Sequence, residues 1–314
     1  MKKLSIIALL FVVVLSIACK KSEDNPAPAK TIRVDVFAAS SDLYYNQIEV
    51  EFSNPQGIAR DASGNVYVAD TENNRIVKIS SDSVVSELGY LPKPTALGLD
   101  ASGNLYVVCM EDHRIYKYDG AAGTSTVFAG SGTAGFDNGS GTAASFNLPS
   151  GIVLDAEGNA YVADRYNDAI RKITPQGEVS TYASAEDQDI GVNALPYGIT
   201  IDGHGNLFVA GNSEVWKIAP DKTTTKAYKG TSKFVANAAI TLDESGNLFV
   251  SDIYNWLIYK IDKNGNVSKF FGNKRTEADP QQVTIIRDCY GLATGDGSLY
   301  VTNSSSGIIF KMTE

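Results

Sequence analysis

One sequence pattern occurs six times along the chain and constrains the fold more than any other feature. GIARDASGNVYVADTENNRIVKI begins at Gly57, GIVLDAEGNAYVADRYNDAIRKI at Gly151 and AITLDESGNLFVSDIYNWLIYKI at Ala239; the other three copies are more divergent. Self-similarity at a period of roughly 20 to 50 residues is typical of repeat architectures. The glycine of the central turn marks the six copies, at Gly64, Gly103, Gly158, Gly205, Gly246 and Gly297.

Each copy has the pattern of short antiparallel strands. In the third copy an apolar run, Ile152 to Leu154, precedes an Asp-x-x-Gly-Asn turn, and an alternating segment, Tyr161 to Ala163, follows it. A third strand is predicted at Ile170 to Ile173 and a fourth at Val179 to Ala183. Four strands in each unit, without helical periodicity between them, predict an all-β fold: a six-bladed β-propeller with four-stranded antiparallel blades.

The two chain ends predict how the ring closes. The sixth copy stops at Glu314 without a fourth strand, whereas TIRVDVFAAS, Thr31 to Ser40, precedes the first copy and has a strand pattern. We therefore expect this N-terminal strand to pair with the last blade, which removes exposed sheet edges. The propeller is predicted to span residues 31–314.

The repeat resembles that of a known family. Gly-Ile-x-x-Asp-x-x-Gly-Asn-x-Tyr-Val-Ala-Asp-x-x-Asn-x-x-Ile-x-Lys-Ile is similar to the NHL repeat, and Phe128 to Ile152 is similar to the longer NHL inter-repeat segment. The fourth copy departs from the pattern in its short loop, Gly211 to Glu214, and the sixth has Asn303 in place of Asp. The resemblance implies a six-bladed propeller but no single function, because NHL proteins include enzymes, sensors and scaffolds.

Most carboxylates of the repeat are predicted to be structural. One set begins the turn and another ends the second strand, where it is expected to bond to the following loop. A residue that recurs in nearly every blade does not mark one active site. Only Asp168, on a single loop tip, is a candidate ligand contact. The turn set is Asp61, Asp100, Asp155, Asp202 and Asp243, and the strand-end set is Asp70, Asp164 and Asp252.

Three other features are predicted to be structural as well. A lysine recurs in the third strand of every copy, for example Lys117, and is expected to pack its aliphatic part. Cys109 and Cys289 fall in different blades and are expected to be unpaired. Gly130 to Gly135 matches G-x-G-x-x-G but opens no helix, so we predict no nucleotide and no other cofactor.

The first thirty residues predict export and lipidation. Lys2 and Lys3 precede an apolar run from Leu4 to Ile17, and LSIAC resembles a bacterial lipobox ending at Cys19. Residues 1–18 are predicted to be a lipoprotein signal peptide, Cys19 the lipid attachment site, and residues 19–30 a flexible tether. An ordinary signal peptide is the alternative. The charged residues after Cys19 are similar to surface-export signals of Bacteroidetes lipoproteins. We therefore expect a cell-envelope protein anchored in the outer membrane, with surface exposure as one option.

Charge limits the partners of the mature chain. Without Lys2 and Lys3, 25 basic and 36 acidic side chains leave a formal charge of −11. An acidic surface disfavours nucleic acid and anionic lipid headgroups. We expect a monomer whose ligand is a glycan, a peptide or a protein.

Catalytic constellations are not recognisable in the sequence. The residues expected at the mouth of the central channel include no carboxylate, unlike the metal site of gluconolactonase-type lactonases, which such a propeller resembles. Zinc sites of NHL amidating lyases use several histidines, but His204 is predicted in a turn on the opposite face, which leaves His113. We predict no metal and no catalytic residue. The mouth residues are Gln56, Thr95, Ser150, Tyr197, Ala238 and Tyr290.

Aromatic and amide side chains suggest a binding site instead, since such groups stack on sugars and hydrogen-bond to hydroxyls. We predict a non-catalytic binding or interaction module on an envelope lipoprotein. The alternative is a lactonase-like or glycan-active hydrolase or lyase with an unrecognised channel site. The candidate ligand-binding residues are Gln56, Tyr166, Asn167, Asp168, Tyr197, Tyr254, Asn255, Trp256 and Tyr290.

Overall fold

The computed structural model describes residues 33–38, 44–45, 48–49, 51–119, 123–185, 194–230, 234–235, 237–272 and 287–314. Within these ranges the chain forms six antiparallel sheets, which are the six blades, and one two-stranded hairpin. The predicted signal peptide, Cys19 and the tether lie outside the described residues. Among the described residues no helix is long and apolar enough to span a membrane.

The blades follow one another along the chain, and each begins with a strand beside the central channel. Blade 1 contains Pro55–Arg60, Val66–Asp70, Arg75–Ile79 and Val85–Tyr90. Blade 2 contains Pro94–Leu99, Leu105–Cys109, Arg114–Asp119 and Thr124–Ala129. Blade 3 contains Pro149–Leu154, Ala160–Asp164, Ala169–Ile173 and Glu178–Ser184.

Blades 4 to 6 repeat this order. Blade 4 contains Pro196–Ile201, Leu207–Gly211, Glu214–Ile218 and Thr224–Lys226. Blade 5 contains Asn237–Leu242, Leu248–Asp252, Leu257–Ile261 and Val267–Gly272. Blade 6 contains Leu292–Gly295, Ser298–Asn303 and Ile308–Thr313, with Arg33–Ala38 as its fourth strand. The separate hairpin consists of Tyr44–Tyr45 and Ile48–Glu49, and 3-10 turns lie at Thr71–Asn73, Met110–Asp112, Gly141–Ala143 and Arg165–Asn167.

The predicted closure of the ring is confirmed. Arg33–Ala38 pairs antiparallel with Ile308–Thr313, with Val36 opposite Phe310. The ring of Phe37 packs edge-on against Tyr300, with centroids 5.0 Å apart. Tyr106 and Phe128 make the equivalent contact inside blade 2, also at 5.0 Å. The N-terminal strand therefore supplies both the backbone pairing and the ring that a fourth strand supplies elsewhere.

Blade 3 has a fifth strand that the repeat pattern does not predict. Gly139–Ser140 pairs with Val179 and Glu178 at the outer edge of the blade. These two residues belong to the glycine-rich loop, defined here as residues 131–147, which folds back over its own blade. Phe146 anchors this loop and is fully buried beside Ala144 and Val162. The loop is thus part of the blade 3 core.

The recurrent aromatic ring of each second strand packs against the next blade, as expected. Tyr106 of blade 2 shares a buried cluster with Ile152 and Leu154 of blade 3. The recurrent lysine of the third strand lies directly opposite this ring in the sheet, as Lys117 lies opposite Tyr106. The ammonium nitrogens lie 5.1 to 5.9 Å from the ring centroids, which is cation–π geometry in all six blades. The lysine thus has a blade-level structural role.

The carboxylate of the central turn is structural, as predicted. Asp61 accepts hydrogen bonds from Ser63 N at 3.0 Å, Asn65 N at 2.9 Å and Asn65 Nδ2 at 2.7 Å. Asp100, Asp155, Asp202 and Asp243 bind the backbone and side chain of the turn Asn in the same way. The Asp-x-x-Gly-Asn pattern therefore encodes a hairpin.

The carboxylate at the end of the second strand connects more than the following loop. Asp70 accepts a hydrogen bond from Asn73 in the following turn and another from Ser53 N, which lies before the first strand. Asp164 and Asp252 make the corresponding bonds to Asn147 N and Val235 N. Each carboxylate thus joins the two loop segments of one blade on the face that carries the candidate site.

Candidate functional site

Two concentric rings of residues surround the channel mouth. The inner ring is the residue before the Gly or Ala at the start of each first strand, namely Gln56, Thr95, Ser150, Tyr197, Ala238 and Tyr290. In blade 3 the following residue must be glycine, because a Cβ on Gly151 would lie 2.4 Å from the carbonyl oxygen of Tyr197 in the next first strand. The outer ring is the residue directly after each second strand, namely Thr71, Met110, Arg165, Asn212, Ile253 and Ser304.

A cavity of about 380 Å³ opens between these rings. Below it the first strands of all six blades converge on a much narrower space of about 80 Å³. A ligand of sugar or short-peptide size therefore fits at the mouth and not in the channel. The cavity is lined by Asn54, Gln56, Thr71, Glu72, Lys93, Thr95, Met110, Glu111, Arg165, Leu195, Tyr197, Asn212, Ile253 and Tyr290.

Two predicted tyrosines form one side of the cavity. The ring centroids of Tyr197 and Tyr290 are 6.2 Å apart, and the planes are inclined by 37°. Burial raises the pKa of Tyr197, and the neighbouring Tyr290 raises it further. Burial also raises the pKa of Tyr290. Both phenols therefore remain protonated at neutral pH and present hydroxyl donors beside two apolar ring faces.

Arg165 is a charged cavity residue that the sequence interpretation did not identify. Its guanidinium carbon lies 5.0 Å from the ring centroid of Tyr197 and 5.4 Å from that of Tyr166. It is the only charged member of the outer ring. Aligning the six repeats on the end of the second strand would have found it, since the other five positions hold uncharged residues.

The second cation of the cavity, Lys93, forms ion pairs with two glutamates of the protein. Its Nζ lies 3.2 Å from Glu111 Oε2 and 3.9 Å from Glu72 Oε1. The Glu111 hydrogen bond and charge, with the Glu72 charge, raise the pKa of Lys93. Lys93, Glu72 and Glu111 thus form a polar group of their own on the blade 1 and blade 2 side of the mouth.

Three of the predicted ligand contacts hydrogen-bond inside the protein. Asn167 donates through Nδ2 to Asp164 at 2.8 Å and to Gly135 O at 2.8 Å, which ties down the glycine-rich loop. Asn255 is buried and donates to Asp252 at 2.8 Å. Asp168 accepts a hydrogen bond from Leu195 N at 2.8 Å and thereby connects blades 3 and 4. The bonds to Asp164 and Asp252 explain why Asn167 and Asn255 recur in the repeat, and a ligand contact by any of the three residues stays a prediction.

The structure brings only part of the predicted aromatic set together. Tyr197, Tyr290 and Gln56 line the cavity, whereas Tyr166, Tyr254 and Trp256 do not. Tyr166 and Tyr254 are 55% and 63% exposed, so both stand in solvent outside the mouth. Trp256 is partly buried, with the guanidinium of Arg287 over its ring at 5.0 Å.

The histidines do not converge with other metal-binding groups. His113 Nδ1 accepts a hydrogen bond from Leu148 N at 3.1 Å, whereas the side chain of His204 is 89% exposed. In the described part of the chain, no three His, Cys, Asp or Glu side chains are grouped so as to hold a metal ion.

Several solved structures have a similar fold. An auxiliary nutrient binding protein from Bacteroides thetaiotaomicron is 10% identical, with a TM-score of 0.67 over 90% of this chain and 76% of that one. A gluconolactonase from Xanthomonas campestris is 14% identical, with a TM-score of 0.64 over 90% and 89%. A catalytically inactive virginiamycin B lyase from Staphylococcus aureus is 16% identical, with a TM-score of 0.62 over 90% and 88%. At these identities the likeness concerns the fold, and the class of protein is a six-bladed β-propeller.

The family comparison is more specific. The model of the NHL repeat matches residues 52–79, which comprise the first three strands of blade 1. The chain is therefore a six-bladed β-propeller with a recognised NHL repeat in blade 1. No curated protein sequence matches the chain.

Proposed function

We propose that this protein is an envelope lipoprotein whose propeller binds an extracellular ligand at the channel mouth without transforming it. One observation supports this most strongly: Tyr197 and Tyr290 lie 6.2 Å apart beside a cavity of about 380 Å³. Paired ring faces with adjacent amide groups suit a glycan or a peptide. The nutrient-binding propeller from Bacteroides thetaiotaomicron has a similar fold, which fits the proposal.

The anchor belongs to the same proposal. Lipidation of Cys19 and the tether to residue 30 would hold the propeller, as a monomer, at the outer membrane. A Cys19→Ala variant is expected to leave the membrane fraction and to appear in the soluble fraction, whereas Cys109→Ala is expected to remain with the membrane. If both variants fractionate with the membrane, the lipoprotein assignment is wrong.

A hydrolase or lyase is the second candidate. It is favoured by the fold shared with a gluconolactonase and with a virginiamycin B lyase, and by Glu72 and Glu111 at the cavity wall. Both carboxylates pair with Lys93, which competes with their use as a catalytic acid or base, so binding is favoured over catalysis.

The test uses the soluble chain that begins at residue 20. A glycan and peptide array is followed by calorimetry on each hit, and each hit is then incubated with the protein, with and without a chelator. We expect saturable binding and an unchanged ligand after prolonged incubation. Product formation would establish the enzyme, and no binding across the array would contradict the proposal.

A further inference from the structure

Arg165 differs from the other arginines whose Nε is buried. Four arginines in the described part of the chain have a buried Nε without a hydrogen-bond acceptor. In three of them the terminal nitrogens are engaged: Arg60 pairs with Asp296, Arg114 with Asp112 and Ser131 O, and Arg171 with Asp164. Arg165 has no hydrogen bond and no ion pair within the described ranges.

The unused hydrogen-bond donors of Arg165 point to a ligand because of where this side chain lies. The side chain is half-buried and lines the cavity beside Tyr197. The ring faces of Tyr166 and Tyr197 stabilise its charge, but they accept none of its five N–H groups in a conventional hydrogen bond. A partly desolvated guanidinium with unused donors gains strongly from an anionic acceptor.

The two carboxylates that line the cavity, and the one on the same loop as Arg165, are bonded to other groups of the protein. Glu72 and Glu111 pair with Lys93, and Asp168 accepts the backbone N–H of Leu195. The acidic surface as a whole repels an anion at long range, but salt screens that repulsion beyond about 8 Å at physiological ionic strength. At hydrogen-bond distance the half-buried guanidinium therefore dominates.

We infer that the mouth selects a carboxylated saccharide, an acidic sugar of the uronic or sialic type, and that Arg165 binds its carboxylate. A planar carboxylate matches the two parallel N–H groups of a guanidinium. The apolar face of the sugar would lie against Tyr197 and Tyr290, and the amides of Gln56 and Asn54 line the same cavity to meet hydroxyl groups. This inference rests on the proposed binding function and narrows it to one ligand class.

The experiment pairs each carboxylated probe with a neutral counterpart of the same shape. Trigalacturonate, a glucuronate-containing disaccharide and sialyllactose are each compared with their own methyl ester. Calorimetry is performed on the wild type, Arg165→Gln, Arg165→Lys and Lys263→Gln. Lys263 is exposed in a hairpin between the third and fourth strands, on the opposite face, so it controls for the loss of one positive charge.

We expect at least one acidic probe to bind about tenfold or more tightly than its neutral partner, the difference expected of a charge-assisted hydrogen bond. Arg165→Gln should abolish that difference, Arg165→Lys should restore part of it, and Lys263→Gln should preserve it. The melting temperature of each variant shows whether it is folded.

Three results overturn the inference. The first is equal binding of the acidic and neutral probes. The second is a preference for the acidic probe that survives Arg165→Gln in a folded variant. The third is that no probe of this panel binds while a peptide or a neutral glycan from the array does. In the last case the proposed binding function stands and only the ligand class is wrong. If nothing on the array or in this panel binds, the proposed function itself fails.

Discussion

Arg171 Nη1 lies 3.0 Å from Asp164 Oδ2, and both side chains are completely buried. The same guanidinium donates to Ser145 O at 2.9 Å and to Asp137 O at 2.9 Å, which are carbonyl groups of the glycine-rich loop. The guanidinium carbon of Arg171 also lies 4.7 Å from the ring centroid of Phe136 and 5.4 Å from that of Phe146. One arginine therefore fixes this loop to blade 3.

In blade 1 the equivalent carboxylate, Asp70, also binds an arginine, but this arginine comes from a different position of the third strand. Arg75 Nε donates to Asp70 at 2.8 Å, but Arg75 begins its strand, whereas Arg171 is the third residue of the equivalent strand. The side chain of Arg75 is 21% exposed. The two pairs therefore allow a comparison of a buried and a partly solvated bond to equivalent aspartates.

Replacing Arg171 is expected to destabilise the fold strongly. Arg171→Met leaves Asp164 buried without its counter-ion, which should lower the free energy of unfolding by about 3 kcal/mol or more. Arg75→Met should cost less, about 1 to 2 kcal/mol, because the Arg75 side chain is partly exposed although Asp70 is buried. Urea denaturation of both variants measures the difference. Equal losses would contradict the role given to Arg171.

Removal of the N-terminal strand is expected to weaken the whole ring. A chain beginning at Ala39 lacks Arg33–Ala38 and the Phe37 ring on Tyr300, whereas a chain beginning at Thr31 retains both. We expect the shorter chain to melt roughly 10 °C or more below the longer one, because several kcal/mol of pairing and packing are lost. Coincident melting curves would show that the ring does not depend on this closure.

The two cysteines of the propeller are expected to be inert in the folded protein. Cys109 and Cys289 are free and buried, and burial raises the pKa of both thiols. Since the thiolate is the reactive form, a disulfide reagent such as DTNB should label neither in buffer and both in denaturant. The chain beginning at residue 20 is used, so that Cys19 does not contribute. Rapid labelling in buffer would contradict the burial of these residues.

Two aspartates that begin hairpin turns, Asp61 and Asp262, predict loss of stability in acid. Burial acts to raise the pKa of Asp61, but the hydrogen bonds from Asn65, Tyr67 and Ser63 outweigh it and hold the pKa below its ordinary value of 3.8. Asp262 begins the hairpin between the third and fourth strands of blade 5, and hydrogen bonds from Asn266 lower its pKa. A carboxyl group with a depressed pKa in the folded state stabilises above its unfolded pKa and loses that contribution as the pH falls through the folded one.

We therefore expect the melting temperature to be nearly constant from pH 7 to 5 and to fall below about pH 4. Asp61→Asn should melt lower at pH 7 and depend less on pH below 4, because one of the titrating groups is absent. Parallel curves for the variant and the wild type would exclude Asp61 from the acid response.

Local patterns predicted the fold well because each blade repeats the same short-range chemistry. The Asp61 hairpin and the Tyr106–Lys117 pair follow from residues that are close in sequence or directly opposite in register. Arg171 was overlooked because its acceptors lie 26 and 34 residues earlier, in a loop whose path the repeat does not specify. The fifth strand, Gly139–Ser140, belongs to the same loop and was not predicted for the same reason.

The candidate site was predicted only in part, for a similar reason. The mouth position of Tyr197 and Tyr290 follows from the repeat, since each directly precedes the glycine at the start of the first strand of its copy, Gly198 and Gly291. Trp256 was grouped with them because loop tips share a face, yet it does not line the cavity. Whether a side chain bonds inside the protein, as Asn255 does, depends on distances that spacing alone does not provide.

The central claim is that a ligand binds over Tyr197 and Tyr290 at the channel mouth. The most direct measurement is the dissociation constant of the best array hit for the wild type, Tyr290→Ala and Tyr90→Ala, determined by calorimetry. Tyr90 is 74% exposed on the outer strand of blade 1 and provides a matched loss of one tyrosine ring.

Truncation of a ring at the centre of a site typically costs about 2 kcal/mol, or roughly thirtyfold in affinity. We predict such a loss for Tyr290→Ala, no change for Tyr90→Ala, and wild-type affinity for Trp256→Ala. If a folded Tyr290→Ala variant binds the hit as tightly as the wild type, the ligand does not bind at the mouth and the account is wrong.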